Sequence, residues 1–352
     1  MDTPQSSCCS CTPVNGMSPC TCTGDTATNR EIRSTDSTIT FANHLDHFLA
    51  RWGVNRMGHR VEPGLYRLGN PTPDSPVFAS ANYTLSFDAL RSALTGVDAY
   101  ILVLDTKGIN VWCAAGKGTF GTEEIIHRIE TTALASNVTH RRIIVPQLGA
   151  PGISWMEVLR RSGFKIEFGP VRAADLPEFL KAHTATPAMR KVQFPLRDRV
   201  VLIPVELVQV LPFAVIATLV VGFFLNWMVA AQLLTAVLAG TVLFPALLPY
   251  IPTKDFSTKG LLLGLVVMLP FIWINTATGV SPWVQAGYAI TCLLVFPPIT
   301  AFLALNFTGA TTFTSRTGVQ KEIFTYIRVM VGMLVTGTVL AAVLFVVRAG
   351  VV

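Results

Sequence analysis

Five long apolar runs fill the second half of this chain and limit the folds that it can adopt. They cover approximately residues 200–225, 227–252, 260–279, 283–305 and 326–347. Each run is close to the ~20 residues that a membrane-spanning helix needs. Only 14% of the 352 residues are charged, whereas about 25% is usual for a soluble protein. Because the residues before Val200 have an ordinary globular composition, the pattern predicts a soluble head followed by an all-α transmembrane domain of about five helices, residues 200–352.

Basic residues flank these runs unevenly and predict their orientation. Those before the first run and in alternate loops are Lys191, Arg197, Arg199, Lys254, Lys259, Arg316, Lys321 and Arg328. The loops at Asn226 and at Val280–Ser281 carry no charge. The positive-inside rule therefore places the N-terminal head in the cytoplasm, attached to a cytoplasmic membrane by a multi-pass domain. The first residues, MDTPQSSCCSC, lack the basic and apolar segments of a secretory signal, which favours the same location.

The head divides into a tail, a folded domain and a linker. Residues 1–39 are rich in Ser, Thr, Pro, Gly and Cys, which predicts a disordered Cys-rich tail. Residues 40–183 alternate strand-like runs with helix-like runs, and residues 184–199 form a basic linker. The expected strands are Ala99–Asp105, Arg142–Pro146 and Phe164–Phe168, and the expected helices are Thr122–Leu134, Ile153–Arg161 and Asp175–His183. This alternation predicts a Rossmann-like α/β domain with a mainly parallel sheet, whose ligands bind at the carboxyl ends of the strands.

The segment KGINVWCAAGKGTF, residues 107–120, follows the first of these strands. It is not a phosphate loop of the form GxxxxGK[ST], because Val111 and Gly118 stand where Gly and Ser or Thr are required. We expect Asn110 to cap a short helix that carries Cys113 in its first turn, where the helix terminus and Lys117 favour a thiolate. The small residues around Cys113 suit a large flat ligand close to the backbone. A buried cysteine that acts only as a small apolar group is the alternative.

Residues 110–117, NVWCAAGK, resemble the cap-helix motif of the mercury-methylating corrinoid proteins. The soluble domain of that family is in turn similar to the corrinoid domain of the large subunit of the acetyl-CoA-pathway corrinoid iron–sulfur protein. The resemblance continues in ANYTLSFDALR, VPQLGAPG and FGPVRAADLPEFL, which follow in the family's order and cover most of residues 75–183. It implies a corrinoid-binding domain with a cobalamin-type corrinoid as cofactor.

The resemblance also implies which residues contact the cofactor. Cys113 becomes the catalytic residue and the lower axial ligand of the corrinoid cobalt. The remaining implied contacts are the cap-helix residues Asn110, Val111, Trp112, Ala114, Ala115, Gly116 and Lys117 and the loop residues Asn82, Thr84, Gln147, Leu148, Gly149, Val171 and Ala173. The cobalamin signature D-x-H-x-x-G is missing from the sequence, so histidine ligation of that type is not expected.

The function implied is corrinoid-dependent methyl transfer from methyl–Co(III) to inorganic Hg(II), which gives methylmercury. The implied partners are a small [4Fe–4S] ferredoxin-like electron donor and a methyl-donating folate methyltransferase. Nucleic acid is not an expected partner, because the basic residues behind the net charge of +6 are scattered and several flank the apolar runs.

Five cysteines crowd into the tail and form a second candidate site. They are Cys8, Cys9, Cys11, Cys20 and Cys22. Their spacing fits neither a ferredoxin cluster nor a zinc site, but thiolates select soft metals, so capture of Hg(II) is one interpretation. A reactive tail without a metal is the other.

Two further functions stay open at the level of the sequence. The first is a membrane-bound corrinoid methyl carrier in one-carbon, acetyl-CoA-pathway metabolism. The second is a non-catalytic mercury-binding or transport protein, which would hold no corrinoid. Cys113 and the apolar runs argue against the standard form of the first, so methyl transfer to Hg(II) is the main prediction.

Overall fold

A six-stranded mixed sheet forms the centre of the N-terminal part in the computed structural model, which describes residues 32–276, 281–310 and 316–348. The strands are β1 (Arg33–Thr35), β2 (Gly64–Leu68), β3 (Val77–Ala81), β4 (Ala99–Leu104), β5 (Arg142–Val145) and β6 (Lys165–Phe168). Their order across the sheet is β1-β2-β4-β3-β5-β6. Only the β2–β4 pair is antiparallel, so the prediction of a mainly parallel sheet is confirmed.

Helices cover both faces of this sheet. They are α1 (Phe41–Arg51), α2 (Thr84–Ala93), α3 (Val111–Lys117), α4 (Thr122–Thr131), α5 (Leu134–Asn137), α6 (Trp155–Ser162) and α7 (Leu176–Ala182). Alternate strand residues enter two separate cores, since successive side chains of a strand point to opposite faces. One core joins the sheet to α4 and α6, and the other joins it to α2 and α7. We call residues 32–183 the head.

The chain leaves the neighbouring strands β3 and β5 in opposite directions. From β3 it passes through α2 to β4 on one side, and from β5 it passes through α6 to β6 on the other. Divergence of this kind opens a crevice at the carboxyl ends of the two strands, where open α/β sheets bind ligands. The strand order therefore predicts a ligand site at the carboxyl ends of β3 and β5, and we call this place the β3–β5 edge.

The ordered head begins earlier than the sequence indicates. We expect a tail through residue 39, yet Arg33–Thr35 pairs in parallel with β2, and the Thr40 side chain caps α1. A three-residue strand shows too little alternation to be recognised alone. The expected Asp175 cap is also wrong in part, because Asp175 precedes α7 but its side chain makes no capping hydrogen bond.

The C-terminal part contains five helices that are long and apolar enough to cross a membrane. They run Leu196–Phe224, Trp227–Leu247, Phe256–Asn275, Pro282–Gly309 and Thr317–Val347. The individual helices are α8 (Leu196–Val200), α9 (Ile203–Phe224), α10 (Trp227–Leu238), α11 (Phe244–Leu247), α12 (Phe256–Thr276), α13 (Pro282–Asn306) and α14 (Arg316–Arg348). This agrees with the number of predicted spans, although the first, third and last begin several residues earlier than expected. We call residues 196–348 the helical part.

The segment that joins the two parts packs against both. Met189 is buried in the core beside α2 and α7, and the Val171 amide donates to its carbonyl oxygen. The Phe194 ring lies 6.3 Å from the ring of Phe307. Arg172 of the head forms a 2.7 Å ion pair with Asp198 of α8. The segment predicted as a basic linker therefore bridges the head and the helical part.

Candidate functional site

Cys113 lies in the first turn of α3, just beyond the carboxyl end of β4. The Asn110 side chain accepts a 2.9 Å hydrogen bond from the Cys113 amide, which confirms Asn110 as the N-cap. An asparagine is favoured there because its side-chain oxygen satisfies an amide that has no partner within the helix. Gly118 ends the helix with φ at 83°, a conformation that glycine adopts without strain.

The loop between β4 and α3 is held by Asn82, at the carboxyl end of the neighbouring strand β3. The buried Asn82 Oδ1 accepts hydrogen bonds from the Thr106 amide, the Thr106 hydroxyl and the Gly108 amide, at 3.1, 2.9 and 2.9 Å. Its Nδ2 donates to Asp105 Oδ1 at 3.2 Å. Asn82 therefore acts on Cys113 indirectly, by shaping the loop that starts α3.

A largely apolar cavity of about 280 Å³ opens at the β3–β5 edge, where the strand connections diverge. Its wall includes Asn110, Val111 and Trp112 from the start of α3. The other lining residues come from β3, α2, β5 and the segments that follow β5 and β6: Phe78, Ala79, Ser80, Ser86, Ala89, Leu90, Ile144, Val145, Pro146, Leu148, Gly169, Pro170, Val171, Ala173 and Leu176. The Cys113 helix and the cavity thus meet at one edge of the sheet.

Two faces of α3 differ in how closely other atoms approach them. On the inner side, Gly152 of the loop after β5 packs closely against α3. A Cβ added to Gly152 would overlap the Phe120 carbonyl oxygen and lie 3.1 Å from Ala115 Cα. On the outer side, a Cβ added to Gly116 would meet nothing within 4 Å. Val111, Ala114 and Ala115 are buried, whereas Trp112 and Cys113 are partly exposed. The helix therefore presents an open face that carries a thiol and no bulk at Gly116.

The protonation state of Cys113 differs from the sequence expectation. Burial raises the pKa of the Cys113 thiol above its ordinary value, and the opposing effects of Asn110, Lys117 and Arg56 do not overcome it. Lys117 thus acts in the expected direction, but the prediction that a thiolate is favoured is wrong, because desolvation disfavours the charged form. A metal that binds the sulfur must displace the proton.

The loop residues predicted to contact the cofactor lie in different places. Leu148, Val171 and Ala173 line the cavity. Thr84 instead donates a 2.7 Å hydrogen bond to Asp46 of α1, and Gln147 accepts one of 2.9 Å from Arg190. Gly149 lies against Phe120, where an added Cβ would be 2.5 Å from the ring. The tail cysteines Cys8, Cys9, Cys11, Cys20 and Cys22 lie outside the described residues.

Sequence reasoning missed the polar groups of the cavity wall. Ser80 and Ser86 line it together with Asn110, and the Arg56 guanidinium acts electrostatically on Cys113 from the loop after α1. Strand β3 gave too short an apolar signal to be predicted, so Ser80 had no assigned position. Nothing in the sequence brings Arg56 near Cys113, because 57 positions separate them along the chain.

The described residues contain no group of three or more His, Cys, Asp or Glu side chains that could hold a metal ion. Cys113 and Cys292 are the cysteines within that part of the chain, and Cys292 is buried in α13.

The sheet and its edge site define a class of protein, an α/β domain with a cavity at the carboxyl ends of its strands, joined to an apolar helical part. Residues 53–169 match the family described as CO dehydrogenase/acetyl-CoA synthase delta subunit. That segment contains β2 to β6, Asn82, Cys113 and most of the cavity wall, and it ends before the five apolar helices.

Individual relatives agree with the family match. The gamma subunit of the acetyl-CoA decarbonylase/synthase complex of Methanopyrus kandleri is 34% identical over 128 residues, which are 36% of this chain and 27% of that protein. The corrinoid/iron-sulfur protein large subunit of Moorella thermoacetica is 29% identical over 129 residues, 36% of this chain and 28% of the relative. The chain thus spans about a quarter of the length of the curated relatives that it matches. The matches support a corrinoid one-carbon protein family for the head, and mercury methylation stays a prediction.

Proposed function

We propose that the head binds a corrinoid over the open face of α3 and takes part in methyl transfer at the cytoplasmic surface of a membrane. The observation that carries the proposal is the position of Cys113 beside the cavity at the β3–β5 edge. Similarity of the same segment to corrinoid/iron-sulfur proteins supports it. The flanking basic residues support a cytoplasmic head. The β4-β3-β5-β6 order, which is that of a doubly wound sheet, supports a Rossmann-like domain.

The residues present fit such a cofactor. The face of α3 around Gly116 is open, so a broad flat ring can approach the helix backbone closely. At about 280 Å³ the cavity lies just below the ~300–1,000 Å³ usual for ligand pockets. It is therefore too small for the macrocycle but suits a single apolar ring attached to it. The Cys113 sulfur is a soft donor, of the kind that transition metals accept. A bound corrinoid supplies a cobalt-carried methyl group.

The chain's own groups have separate tasks in this proposal. Asn110 holds the first turn of α3, and with it Cys113, in place. Cys113 would hold the cobalt through its sulfur, with the thiol proton released to solvent. Arg56 and Lys117, which both favour the charged form of Cys113, stabilise the resulting thiolate. Asn82 keeps the preceding loop in the conformation that presents the helix.

Two acceptors of the methyl group are compatible with this arrangement. The similarity to subunits of acetyl-CoA decarbonylase/synthase complexes favours a methyl carrier in one-carbon metabolism. Cys113 within NVWCAAGK, together with five apolar helices, favours Hg(II), since a thiolate donates electron density to the metal and supports transfer of the methyl group to a soft electrophile. A [4Fe–4S] electron donor and a folate-dependent methyl donor are the proposed partners in either case.

The purified full-length chain, loaded with a methylated corrinoid, distinguishes the two acceptors. Methylmercury formed from Hg(II) in the presence of a low-potential reductant supports the mercury reaction, and methyl-tetrahydrofolate formed from added tetrahydrofolate without mercury supports the carrier. Cys113→Ala is expected to reduce the mercury reaction to background, with Cys292→Ala as the control that keeps it. A corrinoid-loaded protein that transfers methyl to neither acceptor would contradict the proposed function.

A further inference from the structure

Helix α1 packs against the rest of the head through its polar side chains. Asp46 forms hydrogen bonds of 2.7 Å with both His59 and Thr84, and His47 lies 2.8 Å from the buried carboxylate of Asp88. Burial lowers the pKa of His59, but its bonds to Val54 and Asp46 outweigh this and the net pKa is raised. The inward face of α1 is therefore a network of paired polar groups.

The outward face of the same helix is apolar. Phe41, Leu45, Phe48 and Trp52 follow the spacing of one helical face, and we call these four residues the outer stripe. The exposed fractions of Phe41 and Phe48 are 82% and 54%. Ordinary surface helices bury the apolar face and expose the polar one, so α1 has the reverse arrangement. A helix of this kind requires an apolar environment on its outer side.

The chain directly after α1 reaches the first apolar helix. A Cβ on Gly53 would lie 3.8 Å from Val208 Cγ1, and Arg56 acts electrostatically on Glu206. The first span has 29 residues, Leu196–Phe224, whereas ~20 suffice to cross the hydrocarbon core. Counted back from Phe224, those residues begin near Val205. The contact with Val208 therefore lies at the head-side boundary of the bilayer.

We propose that the outer stripe of α1 lies in the lipid headgroup–acyl boundary and docks the head on the bilayer. Amphipathic helices bind membranes in this way, with the apolar face a few ångströms below the headgroups. The stripe continues in Val54 and Met57, which are about half exposed and belong to the loop that contacts α9. The same loop carries Arg56, which also acts on Cys113. Docking of α1 therefore holds the Cys113 edge at a fixed distance from the membrane.

Photolabelling of the full-length chain in vesicles tests this docking. The probe is a phospholipid that carries a diazirine near its glycerol, and the vesicles consist of phosphatidylcholine and phosphatidylglycerol. The adducts are mapped by mass spectrometry. Helix α6 offers a matched control, since Trp155, Met156 and Leu159 also form an exposed apolar patch. We expect adducts on residues 41–57 and on the spans, and none on residues 155–159. Equal labelling of α1 and α6, or none on α1, would overturn the proposal.

A pair of double variants separates lipid contact from other occupants. Leu45→Ser with Phe48→Ser is expected to reduce adducts on residues 41–57 by about tenfold, because two half-exposed apolar side chains are removed from lipid. Trp155→Ser with Leu159→Ser is expected to leave them unchanged. If α1 gave no lipid adducts and instead formed chemical cross-links to a second copy or to residues 1–31, the outer stripe would be assigned to a protein contact. Far-UV circular dichroism checks that both variants fold.

Discussion

The head and the helical part use their polar side chains in different ways. In the helical part, Arg199 donates to the carbonyl oxygens of Pro245 and Ala246, and the Lys259 ammonium donates to those of Leu248 and Ile251. These cations satisfy carbonyl groups next to helices that are apolar enough to cross a membrane, and a hydrocarbon environment offers no donor for such groups.

At the sheet edge of the head, the polar groups are paired as well, but they surround a reactive atom. Asn82 and Asn110 organise the loop and the helix terminus, and the Cys113 side chain is left partly exposed on the open face of α3. Arg199 and Lys259 of the helical part thus support its backbone, whereas Asn82 and Asn110 of the head also position a thiol.

The largest expected effect comes from the glycine on the inner side of α3. Gly152→Ala places a Cβ against the backbone of Phe120 and Ala115, and backbone cannot move aside as a flexible side chain can. We expect overpacking to destabilise the head by about 1–3 kcal/mol, measured as a lower melting temperature of the detergent-solubilised chain. A variant as stable as the parent would show that the loop after β5 does not hold α3.

Asn82→Ala should loosen the loop before Cys113. The Thr106 and Gly108 amides lose their acceptor, and a buried unsatisfied group costs about 1–3 kcal/mol. We expect faster hydrogen–deuterium exchange of residues 105–109, measured by mass spectrometry. Asn110→Ala is the matched control, because it removes one exposed capping bond worth about 1 kcal/mol and should affect only residues 111–113. Equal exchange in both variants would contradict the role given to Asn82.

Gly116→Ala separates stability from cofactor binding. An alanine at this open helical position is expected to stabilise α3 by about 0.5–1 kcal/mol, since it meets no neighbouring atom. If a corrin ring lies on that face, the same methyl group weakens corrinoid binding. Thermal melting and corrinoid titration of one sample measure both quantities. Unchanged corrinoid affinity would place the ring elsewhere.

The pH dependence of Cys113 gives the smallest effect. Burial raises the pKa of its thiol, so the nucleophilic thiolate is scarce at neutral pH and its fraction grows only above the ordinary cysteine pKa of about 8.5. We expect alkylation of Cys113 by iodoacetamide to be slower than that of a free thiol at pH 7 and to rise with pH. Mass spectrometry of the labelled peptide follows this rate. Rapid alkylation at pH 7 would show that Arg56 and Lys117 outweigh burial.

The sequence predicted those features that depend on local or periodic patterns. The apolar runs were recognised because about 20 consecutive apolar residues have few other uses, and Asn110 was recognised because capping involves neighbours in the chain. Asn82 was named from a resemblance alone, and its part in holding the β4–α3 loop depends on the pairing of β3 with β4. The outer stripe of α1 was not predicted either, because the inward orientation of Asp46 and His47 is decided by partners 13 to 41 positions away.

A visible absorption spectrum of the full-length chain incubated with cobalamin is the most direct test of whether the head binds a corrinoid through Cys113. We expect the purified protein to retain the corrinoid. Cys113→Ala should shift its absorption bands and Cys292→Ala should leave them unchanged, because Cys113 would contact the cobalt and Cys292 would not. Failure to retain corrinoid, or identical spectra for the parent and Cys113→Ala, would contradict the assignment of Cys113 as the lower ligand.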